Sequence, residues 1–103
     1  MRTTKHLLDR IVDRVAEAKG LRFSDPAVKE IAKELISLGK VATEVVQYLG
    51  KKGLENYLII NYNNAEWGLG IDPSGKIATT LLDPEKVQRD EKGASFYSRK
   101  KRR

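Results

Sequence analysis

The spacing of apolar residues changes once along this chain, and that change does most to limit its fold. Up to about residue 50 the apolar side chains recur every three to four positions, and after Gly53 they alternate. Leu7, Leu8, Ile11, Val12 and Val15 form a helical stripe that Thr3 or Thr4 can cap and that Gly20 closes. Ser24-Asp25-Pro26 opens a second helix, with a capping side chain followed by proline in the first turn. Val28, Ile31, Ala32, Leu35 and Ile36 form its buried stripe, and Gly39 is expected to stop it. Val41, Ala42, Val45, Val46 and Leu49 suggest a short third helix ending at Gly50.

Beyond Gly53, the aromatic and β-branched run 55–62 predicts a central strand, and Asn63-Asn64 a tight turn. Trp67, Leu69 and Ile71 alternate with Glu66, Gly68 and Gly70, giving a strand with one bulky face and one bare face. Asp72-Pro73-Ser74-Gly75 has the residues of a β-turn, and a third strand follows from Lys76 to Leu82. Residues 85–93 read as a helical turn or a loop, and 94–97 as a short fourth strand. Helices first and strands afterwards predict an α+β domain, with N-terminal helices packed on one face of a three- to four-stranded antiparallel meander and the other face open. Residues 1–93 read as one domain and 94–103 as a basic C-terminal strand or tail.

Charge divides along the same line. Residues 1–88 hold thirteen basic and twelve acidic side chains, whereas 89–103 hold seven basic and two acidic. The body is nearly neutral and the end is cationic, which suits contact with a polyanion such as nucleic acid. The chain has no cysteine and one histidine, which excludes thiol chemistry and disulfides. No metal or other cofactor is expected. The longest apolar run, Tyr57 to Ile60, is far below the roughly 18 residues of a membrane span, and the charged N-terminus does not read as a secretory leader. A cytoplasmic site of action is expected.

His6 is the one side chain that titrates near neutrality when unperturbed, and it sits in the first turn of helix one between Lys5 and Arg10. Such a group can exchange protons with a phosphate ester while the cations stabilise charge; the plainer alternative is a surface histidine. Asp9, Asp13 and Glu17 form an i, i+4, i+8 row that reads as a solvated charged face. Thr79 and Thr80 are expected to point to opposite faces of the third strand, so that one hydroxyl can meet a phosphate. Trp67 is core if its face meets the helices, and a base-stacking platform if that face is open. Lys76 is the one cation of the last hairpin. In the tail, Tyr97 stands against Arg99, Lys100, Lys101, Arg102 and Arg103, a pairing of aromatic and cationic groups suited to RNA, or alternatively a solubilising end or a nuclear-localisation mimic.

The Lys5-His6 pair opening helix one, and the later Gly-Ile-Asp-Pro-Ser-Gly-Lys-Ile-Ala-Thr-Thr of residues 70–80, together resemble the metal-independent ribonuclease group of barnase, EndoU, colicin D-like tRNases and RelE-type toxins. The colicin D-like domains are the nearest in pattern. The resemblance implies an endoribonuclease that drives the ribose 2′-hydroxyl onto its own phosphate, giving a 2′,3′-cyclic phosphate and a free 5′-hydroxyl. It further implies catalytic roles for His6, Lys5, Arg10 and Thr79 or Thr80, RNA contacts from Lys76, Trp67, Tyr97 and 99–103, a tRNA-like substrate, and a cognate inhibitor or immunity protein. Two other functions stand beside it: a non-catalytic nucleic-acid-binding module that uses its basic arm, and a protein-interaction domain.

Overall fold

The computed structural model describes residues 1–50, 53–87 and 96–98. It is α+β, with two helices over one face of a mixed sheet. The elements are β1 (Arg2–Thr3), α1 (Lys5–Arg14), a 3₁₀ turn at Ala16–Ala18, α2 (Pro26–Lys40), β2 (Val45–Gly50), β3 (Gly53–Tyr62), β4 (Ala65–Ile71), β5 (Ile77–Leu82), a 3₁₀ turn at Pro84–Lys86, and β6 (Phe96–Ser98). The strand order is β1-β5-β4-β3-β2-β6. Strands β2 to β5 form an antiparallel meander, while β1 pairs parallel with β5 and β6 parallel with β2.

The third helix expected at 41–49 is not formed. Lys40 ends α2, and Val45–Gly50 is a strand on β3. Val45 and Val46 lose side-chain freedom in a helix but suit a pleated surface, and the ladder to β3 decides between the two. The meander is correspondingly one strand larger than its three-strand minimum, and the fourth strand near the C-terminus joins β2 in parallel rather than extending the antiparallel order. The structural choice between turn and loop at 85–93 falls on Pro84–Lys86 as a 3₁₀ turn; residues 88–93 lie outside the described residues. None of the helices among the described residues is long and apolar enough to cross a membrane.

Helix α1 is shorter than its stripe suggested: the chain leaves the helix at Val15, and Gly20 follows the 3₁₀ turn at φ +85°. Thr4 caps it, its hydroxyl accepting from the Leu7 amide at 3.1 Å. Asp25 caps α2 by accepting from the Ala27 amide at 2.9 Å. Leu7, Ile11, Val28 and Leu35 from the helices are wholly buried against Ile60, Leu69 and Leu81 of the sheet. Burial of each such side chain is worth about 1.5–3 kcal/mol. Gly39 does not stop α2; it lies inside the last turn, where a Cβ would stand 2.8 Å from Leu69 Cδ2. Its missing side chain lets the helix settle directly on the sheet.

The face away from the helices is not open throughout. Tyr57 and Leu82 are buried there, with Val87 packed against them. The Tyr57 ring lies across the bare positions of Gly68 and Gly70, so the glycines of β4 admit a neighbouring aromatic rather than a helix or a ligand. At Gly70 a Cβ would meet Thr80 Cγ2 at 2.6 Å, and Tyr57 Cε2 and Thr79 Oγ1 at 3.2 Å each. Gly70→Ala is therefore expected to destabilise the fold by about 1–3 kcal/mol through overpacking. Urea unfolding checks this, and a variant as stable as the wild type contradicts it.

The turns follow their sequences. Asn63 and Asn64 adopt φ +53° and +62°, the conformation of a tight hairpin. In the next turn the Gly75 amide donates to the Asp72 carbonyl at 2.9 Å, with Gly75 at φ +74°. The Asp72 carboxylate accepts from the Ser74 hydroxyl at 2.7 Å and from the amides of Lys76 and Ile77 at 3.0 Å each. The Ser74 bond foremost, and the backbone amides with it, hold this carboxyl below its ordinary value of 3.8. A depressed pKa adds stability above the unfolded value and loses it as pH falls through the folded one. Asp72→Ala is accordingly expected to melt below the wild type at neutral pH, with the gap closing in acid below pH 3.8. A gap that is constant across that range contradicts it.

Candidate functional site

The sequence placed candidate groups on the first turn of one helix and late on one strand, so the contact between those two elements decides what they can do together. Helix α1 runs beside β5. The Thr4 hydroxyl, besides capping α1, donates to the Thr79 carbonyl at 3.1 Å. Ten residues later, Arg14 Nη1 donates to the Leu81 carbonyl. These two bonds take up carbonyls of a strand whose partner β1 reaches only Ile77 and Ala78, and they close an edge that would otherwise offer itself for pairing.

His6, Arg10 and Arg14 recur at i, i+4, i+8 and so form one row on α1. The row runs from Arg14 at the β5 edge to His6 in the exposed first turn. His6 makes no hydrogen bond or ion pair among the described residues. Lys5 Nζ lies 3.0 Å from Asp9 Oδ2 and 4.6 Å from the centre of the Phe23 ring. Arg10 Nη1 lies 3.0 Å from Asp13 Oδ2. Glu17 accepts from Asn63 Nδ2. Asp9 and Asp13 thus lie on a charged face of α1, whereas Glu17, expected in the same row, falls in the 3₁₀ turn beyond the helix and binds the β3–β4 turn instead. Exposed ion pairs of this kind are worth only about 0–1 kcal/mol, so a phosphate can replace either carboxylate at little cost.

The two threonines do not point to opposite faces. Thr80 pairs with Gly70 and Ala78 with Ile71, which leaves Thr79 as the extra residue of a β-bulge. Thr79 Oγ1 and Thr80 Cγ2 both flank the bare position of Gly70, on the face that carries Tyr57. The bulge removes the alternation on which the opposite-face expectation rested, and bulges of this kind are enriched beside active sites. The first turn of α1 meets Thr79 at its carbonyl, while the threonine side chains lie on the helix-free face. The candidate constellation therefore straddles the β5 edge: His6, Lys5 and Arg10 stand on α1, and Thr79 and Thr80 beyond the strand.

Trp67 is core. It is 7% exposed, its Nε1 donates to the Tyr62 carbonyl at 2.9 Å, and its ring meets that of Tyr62 edge-on at 6.0 Å. A stacking role on an open face is thereby excluded. Lys76 is exposed at the start of β5, its amide bound by Asp72. Tyr97 lies in β6, paired in register with Tyr48. Arg99, Lys100, Lys101, Arg102 and Arg103 lie outside the described residues.

Sequence reasoning missed Arg14 and Phe23. Arg14 could have been found as the next member of the His6–Arg10 row. Phe23, 37% exposed, belongs to neither helical stripe, and that isolation was its only signal. Comparison with protein-family models, with curated proteins and with solved structures finds no match.

Proposed function

We propose that the chain is a small metal-independent endoribonuclease acting at the α1–β5 edge. The observation that carries this reading is the Thr4–Thr79 bond, because it joins the helix turn bearing His6 to the bulged strand bearing the two threonines. Those are the two segments through which the sequence resembles the metal-independent ribonuclease toxins. In the proposed reaction the His6 imidazole takes the proton of a ribose 2′-hydroxyl as that oxygen attacks the adjoining phosphorus. The bond from phosphorus to the 5′-oxygen breaks, and the imidazolium returns the proton to the departing oxygen. The products are a 2′,3′-cyclic phosphate and a 5′-hydroxyl.

Lys5 and Arg10 exchange their carboxylates for the phosphoryl oxygens as charge develops. Thr79 or Thr80 holds a neighbouring phosphate, and Lys76, Tyr97 and the basic end hold the RNA backbone. A tRNA-like substrate places the action in the cytoplasm, and an activity of this kind calls for a cognate inhibitor or immunity protein in the cell that makes it.

A second reading, a nucleic-acid-binding module without catalysis, is favoured by one observation: Lys5 and Arg10 each already face a carboxylate on their own helix. One assay separates the two. Labelled tRNA incubated with protein in EDTA should be cut into discrete fragments; retention of intact RNA in a gel shift would favour the binding module, and neither result would leave both without support.

A further inference from the structure

Met1, Phe23, Val41 and Val45 are the exposed large apolar side chains among the described residues, and one of them is aromatic. Tyr57, Tyr62 and Trp67 are buried, whereas Phe23 stands at a corner of the chain. The Asp25 amide donates to the Arg22 carbonyl at 2.9 Å, which makes 22–25 a β-turn with Phe23 as its second residue. The turn is held on both sides. Before it, the Leu21 amide donates to the Ala18 carbonyl at 3.0 Å and Leu21 packs against the core. After it, Asp25 caps α2. A ring carried on backbone fixed in this way costs little to order when something binds it.

Phe23 shares a surface with His6. Its ring centre lies 4.6 Å from Nζ of Lys5, the residue that precedes His6 in α1. Successive residues of a helix are turned by about 100°, so Lys5 lies to one side of His6, while Arg10 and Arg14 lie about 40° and 80° to the other. Arg14 reaches the Leu81 carbonyl on that second side. His6 therefore stands on the crest of α1, between the Phe23 turn and the β5 edge. The carboxylates of this crest, Asp9 and Asp13, pair with Lys5 and Arg10 at 3.0 Å each.

Lys5 covers the Phe23 ring only loosely, because an exposed ion pair and an exposed cation over a ring are both weak contacts. When the ammonium turns onto a phosphate, the ring is uncovered. A phosphate and its base are joined through one ribose, so a phosphate held by Lys5 brings its base to the ring beside it. Stacking there gains more than the cation gave, and every base can do it because every base has a π-face. A base within a duplex is already stacked and must leave its helix to reach a protein ring.

We propose that Phe23 is the platform on which a base adjoining the scissile phosphate stacks, so that the substrate is RNA that is single-stranded where it is cut. The proposal rests on the reading of the chain as a ribonuclease that uses His6 and Lys5, and it adds a base-binding residue and a substrate class to that reading.

The test uses the full chain carrying His6→Ala, in EDTA, with a short RNA of mixed sequence offered as a single strand or annealed to its complement. Added Phe23→Leu should weaken binding of the single strand about tenfold, the loss of one stacked base, and leave binding of the duplex unchanged. Added Phe23→Trp should bind the single strand at least as tightly as its parent. Ring-labelled phenylalanine gives the direct reading, since the chain has two phenylalanines and the resonances that vanish in Phe23→Trp are those of Phe23. The single strand should move them upfield, and the duplex should leave them in place. Unmoved Phe23 resonances, equal losses on strand and duplex, full affinity in Phe23→Leu, or no binding of the single strand overturns the proposal. Wild-type cleavage of a hairpin RNA is scored separately, and its cuts should fall in the loop. Cuts in the paired stem, with the Phe23 resonances unmoved, sink the stacking alone; moved resonances without cleavage sink the ribonuclease reading alone.

Discussion

His6→Ala is expected to slow RNA cleavage in EDTA by about 10²–10⁴-fold, the range over which a positioned acid–base group acts. The measurement is single-turnover cleavage of labelled tRNA with protein in excess, which separates the chemical step from binding. Because His6 is exposed and unpartnered among the described residues, its loss should leave the urea midpoint unchanged within about 0.5 kcal/mol. RNA affinity should also change little, since the cations supply most of the attraction. A rate loss together with unfolding would point to a structural role instead. An unchanged rate would remove His6 from the chemistry and leave the α1–β5 contact a structural role only.

Trp67→Ala should have the largest effect on stability, about 3–5 kcal/mol, through the cavity it leaves between the helices and β4. It also strips the Tyr62 carbonyl of its indole donor. A domain of this size is held by about 5–15 kcal/mol, so the variant is expected to be largely unfolded on warming. Trp67→Phe, which keeps most of the ring but not the donor, should fold with a smaller loss and bind RNA as the wild type does. A stacking tryptophan would give the reverse pattern: intact stability, and a binding loss of about 1–3 kcal/mol per base. Urea unfolding and RNA titration of the two variants distinguish the patterns.

The helices and turns were legible because each signal was local. Asp25 with Pro26 starts α2, Asn63-Asn64 turns the chain at positive φ, and Gly75 closes the Asp72 turn. What was illegible depended on partners distant in the chain. Val45 and Val46 share helical spacing with Val41 and Leu49, and only the ladder to β3 makes them a strand. The pairing of Phe96–Ser98 with β2 joins segments nearly fifty residues apart, with no pattern in either that names the other. The candidate site shows the same division. Lys5 and His6 fall on the first turn of α1 and Arg10 one turn further along, as their spacing predicts, whereas the bulge that puts Thr79 and Thr80 beside one glycine depends on the register between β4 and β5. Gly39 was read as a terminator because glycine commonly ends helices, yet here it serves close packing on Leu69.

The most direct measurement of the central claim is the chemistry of the cut ends. Wild-type protein, stripped with EDTA and incubated with 5′-labelled tRNA, should produce fragments whose 3′ ends carry a 2′,3′-cyclic phosphate that opens in acid, and whose partners accept phosphate at a free 5′-hydroxyl. Fragments with 3′-hydroxyl and 5′-phosphate ends, or RNA left uncut at protein in excess, would contradict it.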